Sequence, residues 1–132
     1  MDGGESFHDA AVREVREETL IDVKLVGVLN VQWEPMGDAA RMRVIFLGEP
    51  ADPDQAPKSE PDDESEGAAW HSLDELRALG RASQLRGREP LSWAEYVEGG
   101  GVAAPLSILG PESFGSRPAG EPAGVTVDVA PP

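Results

Sequence analysis

The chain has 132 residues, with 25 acidic and 11 basic side chains and a net charge of −14. That charge excludes binding to a nucleic-acid polymer or an anionic membrane as a primary role, because both need a basic surface. The absence of cysteine excludes disulfides, thiol catalysis and thiolate metal sites. Fifteen glycines and twelve prolines, about a fifth of the chain against roughly 12% in average usage, predict one domain with a small core. No apolar run approaches the roughly 18 residues of a membrane span, and no signal peptide is visible. A soluble, cytoplasmic protein is expected.

In chain order, residues 6–19 read as a helix. Ser6 and Asp9 have the spacing of a capping box, and Phe7, Ala11 and Val15 form an apolar stripe at i, i+4 and i+8. The stretch "DVKLVGVLNVQW" (22–33) predicts one strand or two, and "RMRVIFLG" (41–48) another. Gly37 and Asp38 mark a turn between them, so the two are expected to pair as a hairpin with a long loop. Residues 49–66 carry eight acids, four prolines and one lysine, too polar to pack alone, and read as a flexible acidic loop. "GAAWHS" (67–72) predicts a short strand, ending where Ser72 and Glu75 open the helix "SLDELRAL". "PLSWAEYVE" (90–98) predicts a last helix, with Pro90 in its first turn and Gly99 as its stop. From residue 111 to 132 Gly, Pro and Ala dominate, which predicts a disordered tail.

Three glutamates stand out on the first helix. At about 100° per residue, Glu14, Glu17 and Glu18 fall within roughly one 100° arc, beside the apolar stripe. Partly desolvated carboxylates repel one another unless a cation or proton offsets the charge. Three hard oxygen donors on one helix suit Mg²⁺, which keeps several waters and leaves room for a phosphate. An ordinary solvated face presents the same residues, since exposed like-charge pairs cost only about 0.2–0.5 kcal/mol. Spacing alone leaves both readings open.

The wider stretch "ESFHDAAVREVREET" resembles the Nudix box, G-x5-E-x7-R-E-U-x-E-E-x-G-U with U an aliphatic residue. Glu5 stands at the first glutamate, and Arg13, Glu14, Val15, Glu17, Glu18 and Ile21 follow at the box spacing. Two positions depart from it. Leu20 occupies the place of the late glycine, where a left-handed backbone is costly for a branched side chain. The opening glycine would fall two residues before Met1, so Met1 reads as an internal methionine and "MDGGE" as the tail of a loop.

The resemblance implies a hydrolase that cleaves a phosphoanhydride bond in a nucleoside diphosphate linked to another group, with Mg²⁺ or Mn²⁺ as cofactor. It implies an α/β fold: a partial α/β/α sandwich with a mixed β-sheet over residues 1–110, its N-terminal strands missing. By the same resemblance Glu17 and Glu18 are metal ligands, Glu14 is a ligand or the base that activates water, and Arg13 holds Glu14. Glu5 supports the box by helping to position the helix-end loop, and an acid outside the box completes the metal site. Glu64 is the candidate there, with Glu66 or Glu60 as substitutes. The partner is a small nucleotide-type molecule, the substrate-binding residues are unassigned, and a homodimer is compatible with the family. Trp33, Phe46 and Trp70 are suited to stacking a base, although aromatics on strands are more often core. No chemistry is assigned to His8 or His71. The alternative is a catalytically weak remnant acting as a binding module, because missing strands would bare a sheet edge and part of the surface under the helix.

Overall fold

A computed structural model of the chain describes residues 4–110. The loop reading at Met1 and the tail reading at 111–132 lie outside the described residues.

Helix α1 (Phe7–Thr19) starts at Ser6, whose hydroxyl accepts the Asp9 amide at 3.1 Å and donates to the Asp9 carboxylate at 2.7 Å. The full capping box forms at α2 (Leu73–Arg81), where Ser72 and Glu75 exchange both bonds. On α1 the buried residue is Ala10, while Phe7, Ala11 and Val15 stay partly open. The helix ends at Leu20, in the left-handed region at φ 59° and ψ 15°, with its amide donating to Arg16 at 2.8 Å. A branched side chain holds that conformation at a cost of about 1–2 kcal/mol.

Strands β1 (Val23–Met36) and β2 (Ala39–Pro50) form one antiparallel hairpin, in register from Val23↔Pro50 to Met36↔Ala39. Each strand is longer than its sequence suggests. The expected long loop is a two-residue turn, with Gly37 at φ 63° supplying the left-handed position such a turn needs. Across the far end, Glu34 and Arg41 face each other as a cross-strand ion pair at 3.2 Å. The register shifts between Leu25 and Gly27 and again between Val28 and Asn30. At this irregular stretch Val28 exchanges two 2.8 Å backbone bonds with Ala104 on the other edge of β1.

Among the described residues the sheet is this antiparallel pair. The buried apolar side chains, Ala10, Ile21, Leu25 and Val28, gather between α1 and the first half of β1. Residues 67–72 are not a strand. They run without ladder pairing, and Ala68 donates to the Lys58 carbonyl at 2.9 Å.

The acidic segment also differs from its reading as a flexible run. Ala51 donates to the Asp22 carbonyl at 2.7 Å, and Gln55 accepts the Asp22 amide at 2.9 Å. Gln55 also donates to the Leu20 carbonyl at 2.7 Å. The segment is too polar to make its own core, and instead it serves the polar backbone at the corner between α1 and β1. Helix α2 meets α3 (Glu89–Glu98) through Arg77, which bonds Glu95 at 3.0 Å and Asp74 at 3.1 Å. Arg43 ties β2 to Glu89 at 3.0 Å.

Two outcomes follow from this architecture. A Cβ at Gly27 would lie 2.6 Å from the Ala103 Cβ and 3.0 Å from the Ala104 carbonyl oxygen, so Gly27→Ala must push the 103–104 segment off β1. Urea unfolding is expected to show a loss of about 1–3 kcal/mol, and an unchanged midpoint would contradict the contact. The Asp22 carboxyl is held below its ordinary value of 3.8, first by the Arg16 hydrogen bond and more weakly by Gln55. Its stabilisation is therefore present above about pH 4 and lost as pH falls through the folded value. Asp22→Asn should flatten the acid-side fall of the thermal midpoint, and an undiminished slope in that variant would count against the pairing.

Candidate active site

Arg13 organises the start and middle of α1. Its guanidinium reaches back to Glu5 with two bonds, Nε to Oε1 at 2.8 Å and Nη2 to Oε2 at 3.1 Å. It reaches forward one turn to Glu17 Oε2 at 2.8 Å through Nη1. The Glu14 carboxylate lies 3.7 Å from Nη2. A planar fork with five fixed donors is suited to such simultaneous pairing, which an ammonium cannot reproduce. Hydrogen bonding to Glu5, then the charge of Glu17, holds the Arg13 pKa above its usual value. Glu5 has only 15% of its side chain exposed, so the fork anchors the chain before α1 to the helix surface.

The other end of α1 is closed by side chains from the acidic segment. A helix leaves its last carbonyls without intrahelical donors, and here the Glu17 carbonyl accepts from Lys58 Nζ at 3.1 Å. The Glu18 carbonyl accepts from Ser65 Oγ at 2.6 Å, and the Thr19 carbonyl from the Lys58 amide at 2.8 Å. Lys58 is only 4% exposed, and its ammonium also pairs with Asp62. That hydrogen bond from Lys58, together with the amides of Glu64 and Ser65, holds the Asp62 carboxyl below its ordinary value.

Between α1, the sheet and residues 68–70 lies a cavity of about 520 Å³. Glu14 and Glu18, one helical turn apart, lie on its wall, with Val15, Phe46 and Trp70 among the apolar residues around them. The expected metal-site residues are thus divided. Glu14 and Glu18 share the cavity, whereas Glu17 is turned to Arg13. Glu64 is exposed beside Ser65, on the turn attached to the Glu18 carbonyl. Trp70, 60% exposed, and Trp33, 71% exposed, are not core residues. Trp70 joins the cavity, and Trp33 lies at the hairpin end beside Arg41 and Arg43. His8 and His71 are both exposed, with His8 Nδ1 3.5 Å from Asp9.

Sequence reasoning missed the part played by Lys58, Gln55 and Ser65. The available signal was a lone lysine among eight acids, a residue with no solvation reason to be there.

Among the described residues no three Asp, Glu or His side chains are gathered closely enough to hold a cation unaided. The donor chemistry nevertheless fits Mg²⁺, which is commonly held by one or two carboxylates together with substrate phosphates and water. Glu14 and Glu18 offer that pair at one cavity, and both remain open to solvent.

The fork at Arg13 has a direct test. Arg13→Lys is expected to speed amide exchange in residues 4–7 at least roughly tenfold, since charge-assisted bonds to Glu5 are lost. The last turn of α1, closed by separate bonds, should exchange as before. Unaltered exchange at residues 4–7 would show that the fork does not hold the segment.

Comparison with known proteins bears on the family of the chain. The model of the NUDIX domain matches residues 1–93. "Putative nudix hydrolase 1" of Caenorhabditis elegans is 36% identical over 89 residues, which is 67% of this chain and 22% of that protein. The chain therefore spans about a fifth of the length of that curated relative. Among solved structures, a NUDIX hydrolase from Nitrosomonas europaea superimposes with a TM-score of 0.61 at 26% identity, covering 85% of this chain and 74% of that one. The pattern of Glu5, Arg13, Glu14, Glu17 and Glu18, their places around α1 and the domain match lead to one conclusion: this chain belongs to the NUDIX domain family.

Proposed function

We propose that the chain is a Mg²⁺-dependent hydrolase that cleaves a phosphoanhydride bond in a nucleoside diphosphate linked to another group. The observation that carries this reading is the pair Glu14 and Glu18, two carboxylates one turn apart on a cavity whose other walls are largely apolar. Acidic side chains beside apolar walls repel a polyphosphate unless a divalent cation stands between them. Glu18 and Glu14 would hold that cation from the cavity wall, or Glu14 would take a proton from the attacking water. Glu17, bonded to Arg13 beside the cavity, would be the further ligand. When bound, Mg²⁺ or Mn²⁺ supplies Lewis-acid polarisation of the phosphoryl group and lowers the pKa of water.

The chain's own residues prepare these roles. Arg13 fixes the Glu17 carboxylate at 2.8 Å and restrains Glu14 from 3.7 Å. Glu64 is the acid from outside the box in this proposal, supported by its neighbour Ser65 being bonded to the Glu18 carbonyl. Trp70 and Phe46 give the cavity aromatic surface against which a base or the linked group can pack. The net charge of −14 favours a small substrate bridged by a cation over a nucleic-acid polymer.

A weakly active or binding-only role is the second reading, favoured by the thin core. Only four apolar side chains are buried among the described residues, while Trp33, Met36, Met42 and Val102 are more than half exposed.

Purified protein with Mg²⁺ and a panel of nucleoside diphosphate derivatives separates the readings. Glu17→Gln is expected to lower kcat/KM by about 100-fold or more, the loss of a few kcal/mol of charge stabilisation. Trp70→Ala is expected to raise KM several-fold with a smaller change in kcat. Equal turnover by wild type and Glu17→Gln would remove the metal site, and no turnover across the panel would favour the binding role.

A further inference from the structure

Lys58 carries no role in the hydrolysis proposed above, yet it is the one buried charged side chain among the described residues. A desolvated ammonium needs close acceptors. Lys58 has the Glu17 carbonyl at 3.1 Å and the Asp62 carboxylate. A cation at this place also meets the negative end of the helix dipole. Its backbone is used as well, with the amide donating to Thr19 at 2.8 Å and the carbonyl accepting from Ala68 at 2.9 Å. One residue thus joins the last turn of α1, the acidic segment and the stretch that leads to Trp70.

We propose that Lys58 is a positioning residue for the carboxylates of Glu17, Glu18 and Glu64. Asp62 receives the Lys58 ammonium and also accepts the amides of Glu64 at 2.9 Å and Ser65 at 3.1 Å, while its own amide donates to the Ser65 carbonyl at 3.0 Å. Residues 62–65 therefore form a closed turn whose orientation depends on Lys58. Ser65 passes that orientation to the helix through its 2.6 Å bond to the Glu18 carbonyl. The turn and the ammonium together fix the backbone from which Glu17 and Glu18 project, and they bring Glu64 beside it. This inference rests on the proposal that these carboxylates hold a divalent cation.

Lys58→Met tests it, because the thioether keeps length and volume but removes every donor on the side chain. Mn²⁺ binding to the full chain is followed by electron paramagnetic resonance well below the melting temperature, with helix content monitored by circular dichroism. The expected result is at least roughly tenfold weaker Mn²⁺ binding in Lys58→Met, the range for groups that orient metal ligands, with helix content retained. Ser65→Ala, which removes a single bond to the Glu18 carbonyl, is expected to weaken binding about threefold. A folded Lys58→Met protein that binds Mn²⁺ as tightly as wild type, even with a lower melting temperature, overturns the positioning role and leaves the metal site standing. If Lys58→Met does not fold, Ser65→Ala decides the matter: weakened binding supports the role and unchanged binding overturns it. Wild-type protein that binds no Mn²⁺ overturns the metal reading itself, and the positioning role with it.

Discussion

The end of α1 is the constraint on which the rest of the structure depends. Two acids, Glu17 and Glu18, stand in the last turn of a helix, where the dipole's negative end disfavours negative charge. The same turn exposes carbonyls that no intrahelical donor can reach. Three kinds of partner offset this double excess of negative potential. Leu20 turns back to Arg16, Lys58 and Ser65 serve the Glu17, Glu18 and Thr19 carbonyls, and Gln55 serves Leu20. Arg13 and Arg16 add positive charge from the helix itself by pairing with Glu17 and Asp22. In the proposed reaction a divalent cation completes this compensation.

This arrangement gives the site stability that the core does not provide. Among the described residues the buried apolar side chains are Ala10, Ile21, Leu25 and Val28, and they lie near the corner where α1 passes into β1. Around that corner the acidic segment adds polar bonds to Leu20, Asp22 and Thr19. Placing the glutamates beside a braced corner limits their motion, and the left-handed Leu20 directs the chain sharply from helix to strand. Strain of about 1–2 kcal/mol at that residue is tolerable because so many neighbouring bonds fix its conformation.

How far the sequence foretold this depends on the range of the forces involved. Helix α1, with its cap and its spacing of Glu14, Glu17 and Glu18, is a local object whose periodicity is written in consecutive residues. The hairpin was legible as two apolar runs around Gly37 and Asp38, but its full length depends on cross-strand bonds that no single run contains. The acidic segment was the main surprise. Its composition describes a solvated loop, while Lys58 and Ser65 act on carbonyls about forty residues earlier in the chain. Such contacts join side chains to backbone, and they leave no periodic trace. Residues 67–72 misled for a related reason. "GAAWHS" looks like a strand by composition, but Ala68 is bonded to a loop carbonyl and Trp70 faces the cavity. The pairing of Arg13 with Glu17 was legible in their four-residue spacing, and that with Glu14 in their adjacency. The wheel that placed all three glutamates on one arc did not separate Glu17 from the cavity shared by Glu14 and Glu18.

In the proposed function the last turns of α1 and the 62–65 turn form one cation-binding site for a phosphate-bearing substrate. Its most direct test is substoichiometric Mn²⁺ added to isotope-labelled protein, read as paramagnetic broadening of amide signals in the nuclear magnetic resonance spectrum. The account predicts selective loss of the signals of Glu14, Glu17, Glu18 and residues 64–66, with the Trp70 indole affected next. Strongest broadening at Asp52 and Asp54, or uniform weak broadening over all acidic stretches, would contradict it.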